Sequence, residues 1–248
     1  MINEQCFLPV RRCFQKLDIT LLNIYNLSFG LSIPESEKGE EVKENSESPT
    51  IVQFKREYLQ LKDRGVVALD WVVNLHLHRK KRRTVLIVIP GLCGTAGGLS
   101  KICQYAAKRG FQPVVFNRRG LGNSFLTTPK LQSYGDPSDF RQVIKYINGK
   151  YPKALVTCVS YGTGSECLLS YLEKFGSSAQ ISAGVSVSAS FEVAHRTSTK
   201  LHGIYDLLFL TLLKRVVWKH AKALTKIIDV PKALKAWTYK QFDEAVFL

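Results

Sequence analysis

The chain has 248 residues, 45% of them hydrophobic, and a formal net charge of +15 with a sequence pI near 9.6. That length and apolar content suit one α/β domain with tails, or two small domains. No run of eighteen apolar residues exists, which excludes a membrane-spanning helix, and no Cys/His spacing fits a zinc site, so no metal and no cofactor is expected.

Residues 1–50 hold five Lys/Arg against eight Asp/Glu, so the other 198 residues carry the whole excess, about +18. Such a charge favours acidic partners: anionic lipid head groups, nucleic acid or an acidic protein. Nucleic acid is disfavoured, because no basic motif interleaved with aromatic residues appears. A scattered, solvated basic surface is the simplest reading. The N-terminus MINEQCFLPVRRCFQK is broken by charge before any apolar core develops, so it reads as no secretory signal. The expected location is cytoplasmic, with peripheral membrane association as the alternative. The sequon Asn26-Leu27-Ser28 is then chance. Cys6, Cys13, Cys93, Cys103, Cys158 and Cys167 form no CxxC pair. No disulfide partner is expected for them.

In chain order, residues 1–33 hold apolar residues from Leu17 to Leu27 that suit a helix or docking arm. Residues 34–50 are acidic and free of aromatics, the composition of a disordered linker. Residues 51–190 read as the folded core. Tyr58–Leu61 and Val66–Trp71 flank the turn signal Lys62-Asp63-Arg64-Gly65 and are predicted strands. The basic run Arg79–Arg83 reads as a solvated loop tip, with a localisation signal or an acidic-lipid contact as the functional alternatives. Thr84–Ile89 is continuously apolar and ends in Pro90-Gly91, the pattern of a strand buried on both faces. A helix (about Leu99–Arg109), a strand (Pro113–Asn117), a helix (about Ser138–Asn148), a strand (Leu155–Val159), a helix (about Glu166–Phe175) and a strand (Ile181–Ser188) follow. This alternation predicts an α/β, mostly parallel, doubly wound sheet with helices on both faces. Residues 191–248 read as a helical cap segment, with one helix over 204–228 and a second from Pro231 to about Gln241. The first has an apolar stripe and a Lys/Arg face; packing on its own domain is the simpler reading, membrane contact through Trp218 the other.

Two stretches carry candidate chemistry. Pro90-Gly91-Leu92-Cys93-Gly94 can turn sharply at a strand end and present Leu92 N–H to an oxyanion. Tyr151–Leu172 reads strand, small-residue turn, helix, which is the context of a nucleophile elbow. Two registers fit. In one, Gly162 holds the nucleophile position between Ser160 and Gly164, with Thr163 N–H as the second oxyanion donor. In the other, Ser160 is the nucleophile between Cys158 and Gly162, and Tyr161 supplies the amide.

From Leu61 to Leu248 the chain resembles the branch of the α/β-hydrolases (the AB hydrolase 4 family) that includes bacterial short-ester hydrolases and animal membrane-anchored monoacylglycerol-lipase and phospholipase relatives. The resemblance is carried by Leu69-Asp70-Trp71, Pro90–Gly94, Val114-Val115-Phe116-Asn117-Arg118-Arg119-Gly120-Leu121-Gly122, Leu126-Thr127-Thr128-Pro129, Asp139, Tyr151-Pro152, Leu168–Leu172 and Gln241–Glu244. It implies an α/β-hydrolase sheet and carboxylic ester hydrolysis by an activated serine. Aligned without gaps from Tyr151-Pro152, the family's serine position falls on Gly162, which has no nucleophile to activate. The resemblance also places an acid and a histidine on two further strands. These have no counterpart before Leu248, so an incomplete α/β-hydrolase fold lacking its last two strands is expected. Glu192 and His195 are poor substitutes, and His76, His78, His202 and His220 show no evident partner.

The expected function is therefore that of a non-catalytic α/β-hydrolase-like protein acting by binding an apolar ligand or a protein partner that covers an open sheet edge. The alternatives are a serine ester hydrolase using Ser160, and a basic adaptor for anionic membranes.

Overall fold

In a computed structural model, residues 52–73, 84–92, 94–131, 135–189 and 203–246 are described. The predicted arm, the acidic linker, the basic run 79–83, Cys93, Glu192, His195, His76, His78 and His202 lie outside them.

A six-stranded sheet forms the centre, in the order β1-β2-β4-β3-β5-β6. Its strands are β1 (Phe54–Gln60), β2 (Val66–Val72), β3 (Thr84–Ile89), β4 (Phe111–Asn117), β5 (Leu155–Tyr161) and β6 (Ala183–Val187). The hairpin β1–β2 joins antiparallel to β4, and β4, β3, β5 and β6 pair parallel. Side chains of β3 alternate between two cores, as strand geometry requires. Val85, Ile87 and Ile89 pack with α2 (Ser138–Lys150) and α3 (Thr163–Phe175) through Phe140, Ile144, Leu168 and Tyr171. Leu86 and Val88 pack with α1 (Ser100–Lys108) through Ile102, Cys103 and Ala106. Burial on both faces explains why β3 reads as an unbroken apolar run.

A cluster around the Glu57 carboxylate fastens α2 to the hairpin. It accepts from Trp71 Nε1 at 2.7 Å, from Lys150 Nζ at 2.8 Å and from the Tyr146 hydroxyl. Burial pushes the Glu57 carboxyl up, but the Lys150, Tyr146 and Trp71 hydrogen bonds outweigh it and hold it below its ordinary value. Burial likewise opposes, and bonds from Arg119 and Gly65 N–H outweigh it, at Asp63. A carboxylate held low in the folded state adds stability above its unfolded pKa and loses it as pH falls through the folded one. Stability is therefore expected to be flat from neutral pH down to about 5, then to fall as the pH drops through the lowered values of Glu57 and Asp63. Urea midpoints along an acid series measure this, and Glu57→Gln should flatten the slope.

The cap segment is more broken than its sequence pattern predicts. The single helix expected over 204–228 is instead α4 (Gly203–Lys219) and a short α5 (Ala221–Leu224). The break falls at His220, which is buried and whose ring Nε2 lies 2.8 Å from the Gly120 carbonyl. That interaction ties the helix end to the loop after β4, so tertiary contact overrides local helical preference. The second predicted helix is also two, α6 (Val230–Lys235) and α7 (Tyr239–Val246). Asp229 caps α6 by accepting from Lys232 N–H. Thr238 and Gln241 cap α7, Thr238 Oγ1 accepting from Gln241 N–H and Gln241 Oε1 from Trp237 N–H. These helices bury Leu210, Leu213, Val217, Leu224 and Phe242 among themselves and press on Leu92, Leu126 and Leu131.

Candidate active-site elbow

β5 continues two residues beyond its predicted end, to Tyr161, and α3 begins three residues earlier than predicted, at Thr163. A single residue, Gly162, makes the whole reversal. Its backbone has φ +48° and ψ −120°, a region costly for residues with a side chain. Gly162 N–H donates to Val187 O at 2.9 Å, and its own carbonyl accepts from Ser165 N–H. A Cβ built on Gly162 meets nothing within 4 Å. Gly162 thus makes a tight strand-to-helix turn that only glycine adopts freely, with open space beside its α-carbon.

Ser160 takes a different place. It is fully buried in β5, paired with Ile89 on one side and Ser186 on the other. Its hydroxyl donates to Val185 O at 3.2 Å and lies 3.2 Å from Ser186 Oγ. The register in which Ser160 occupies the turn and β5 ends early is not the one adopted. Tyr161, the amide donor of that register, is the last strand residue and pairs with Val187.

The two halves of the site meet at Gly164. A Cβ there would stand 2.6 Å from Pro90 O and 2.9 Å from Ile89 O. The first turn of α3 therefore lies directly against the end of β3 and the loop carrying Leu92. Thr163 is the first residue of α3, where backbone N–H groups lack intrahelical acceptors. Leu92, half-buried, lines a small cavity of about 60 Å³ with Leu121, Leu213, Phe242 and Arg118.

Arg118 and Arg119 stand in the Asn117–Gly122 motif, whose sequence alone assigns them no role. Arg118 is 3% exposed and donates to Thr163 Oγ1 at 3.0 Å and Thr163 O at 3.3 Å, fixing the loop after β4 to the elbow helix. Arg119 is buried in a bidentate pair with Asp139, at 2.5 and 2.7 Å, and also reaches Asp63. Bidentate pairing of this type fixes the guanidinium plane. His220, without an evident partner in the sequence, has Gly120 O. The signal that could have found these residues was the chemistry itself: charged side chains at the end of a buried strand need partners.

Cys103, Cys158 and Cys167 are buried thiols, and burial pushes Cys103 and Cys167 up to about 12 and Cys158 upward as well. They remain protonated at neutral pH and are poor nucleophiles. No group of residues able to hold a metal ion occurs among the described residues, and no helix there is long and apolar enough to cross a membrane.

Comparison with known proteins identifies the chain's family. The family model described as serine aminopeptidase, S33 matches residues 80–241. Human protein ABHD15 is 35% identical over 202 residues, covering 79% of this chain and 43% of its own length. Bovine phospholipase ABHD3 is 28% identical over 206 residues, covering 79% and 50%. The chain spans about half the length of the curated relatives it matches. Among solved structures, a soluble variant of Saccharomyces cerevisiae monoglyceride lipase is 13% identical with a TM-score of 0.46, covering 67% of this chain and 54% of that one. AbyA5 is 16% identical with a TM-score of 0.47, covering 88% and 54%. From the S33 match and from the elbow, strand-end loop and motif residues placed together around it, the chain belongs to the α/β-hydrolase superfamily, within the serine aminopeptidase S33 (AB hydrolase 4) family.

Proposed function

We propose that this chain is a non-catalytic member of its family and acts by binding. One observation carries the reading. The residue at the strained turn between β5 and α3 is Gly162, so the position from which the family's serine would attack has no hydroxyl. Acyl transfer through a covalent enzyme intermediate needs a nucleophile at that point, and an oxyanion site alone retains only a small part of the rate. Ser160 supports no rescue, because its hydroxyl is turned into the β5–β6 contact rather than toward the turn.

A small cavity between the strand-end loop and the cap helices supports a binding role. Leucines, Val216 and Phe242 give most of the cavity lining, with Arg118, Arg119 and Asp243 at its polar part, which suits a small, mainly apolar group. The experiment is ester turnover by the purified full chain on short-chain and monoacylglycerol esters. Turnover at the buffer rate, unchanged in Ser160→Ala, is expected. Turnover well above buffer that disappears in Ser160→Ala overturns the proposal.

A further inference from the structure

The helix α4 buries one apolar stripe in its own layer and exposes two large apolar side chains on another. Leu210, Leu213 and Val217 are buried in the cap cluster, at the spacing of one helical stripe. Leu207, Thr211, Arg215 and Trp218 form a second stripe, offset by roughly a quarter turn or more at 3.6 residues per turn. This second row faces solvent: Leu207 is 57% exposed and Trp218 69% exposed. The Thr211 hydroxyl donates to the Leu207 carbonyl at 2.7 Å, so its polarity is turned back onto the helix.

Single exposed leucines are ordinary on soluble proteins and need no explanation. Here a leucine and a tryptophan share a row bracketed by cations. Lys214 and Arg215 stand one turn before Trp218, and Lys219 and Lys222 follow it. From Leu207 to Ile228 the sequence has five Lys/Arg and no Asp/Glu. Charge decides what such a face takes. A second copy would bring the same helix cations, Lys214, Arg215 and Lys219, against it, and like charges repel. An anionic lipid surface offers complementary charge to the lysines and an apolar layer to the leucine. It also offers an interfacial zone where an indole is at home, ring in the acyl boundary and N–H in the head groups. Long lysine stems let the apolar row approach while the ammonium groups stay wet.

We propose that α4 rests on an anionic membrane surface through Leu207, Thr211, Arg215 and Trp218, with Lys214, Lys219 and Lys222 among the head groups. The surface lies outside the elbow and does not depend on whether the chain is catalytic.

Flotation of the full chain with phosphatidylcholine vesicles, with and without about one-third phosphatidylserine, tests this at low and high salt. Binding to the anionic vesicles is expected to be at least about tenfold tighter than to the neutral ones, and to be lost at about 0.5 M salt. The pair Leu207→Ser with Trp218→Ser, and separately Lys219→Glu with Lys222→Glu, should each weaken it about tenfold. Both pairs lie on the surface, so the urea midpoint should stay near that of the wild type. No binding by the wild type, equal binding to both vesicle types, or full binding by both variant pairs overturns the proposal. So does a loss seen only when Arg79–Arg83 are neutralised, which would move the contact to that run. Self-association abolished by Trp218→Ser, with no vesicle binding, would give the face to a second copy and also overturn it.

Discussion

Arg119→Met is expected to cost about 3–5 kcal/mol of folding stability, a large share of the roughly 5–15 kcal/mol that a domain has in total. The side chains of Arg119 and Asp139 are each about 1% exposed, so removing the guanidinium leaves a carboxylate in the core with no water to solvate it. Asp139→Asn should harm in the mirror sense, though less, because Asp63 still reaches Arg119 at 2.8 Å. The pair itself need contribute little net stability, since desolvation offsets most of its attraction. The double variant Arg119→Met with Asp139→Leu should therefore recover a good part of the single-variant loss. Urea unfolding of the four proteins gives the coupling energy directly. Losses that simply add would show that the two side chains do not act as a unit. The effect reaches the site, because Arg119 holds the loop whose Arg118 binds Thr163 at the elbow.

Gly164→Ala should destabilise by about 1–3 kcal/mol even though alanine is the better helix former. The added methyl meets the carbonyl oxygens of Pro90 and Ile89, which belong to the backbone and cannot rotate away. Relief requires moving either the first turn of α3 or the end of β3, and either movement separates Leu92 from Thr163. Gly149→Ala is the control of opposite sign. It lies in α2 with nothing within 4 Å of the added carbon, so the substitution should raise stability by up to about 1 kcal/mol. Thermal melts distinguish the two, with a fall of about 2–4 °C per kcal/mol for a chain of this size. If Gly164→Ala melts like the wild type, the close approach of elbow and strand-end loop is not real.

The sheet was legible because its residues obey strong local rules. Thr84–Ile89 has no polar side chain after its first position, and only a strand with both faces covered suits it. The hairpin was marked by Lys62-Asp63-Arg64-Gly65, although β1 begins at Phe54, four residues before the predicted start. Its early residues alternate charge with half-buried side chains, so their pairing is set by β2 rather than by their own composition. The elbow was legible in outline from the small residues at 160, 162 and 164. Choosing the register needed the backbone, since Ser160 and Gly162 both tolerate a tight turn on paper. What sequence could not show were the long-range partners. The break at His220 comes from a carbonyl one hundred positions earlier in the chain. Arg118 belongs to the elbow only because β4 and β5 flank β3 in the sheet.

The turn at Gly162 carries a hydrogen atom where a serine would present its hydroxyl. Labelling the purified chain with a fluorophosphonate, read by intact-protein mass, tests this most directly, since the reagent modifies activated serines whatever the natural ligand. No adduct above that of the unfolded chain is expected, for the wild type and for Ser160→Ala alike. Stoichiometric labelling of the folded wild type, lost in Ser160→Ala, would contradict it.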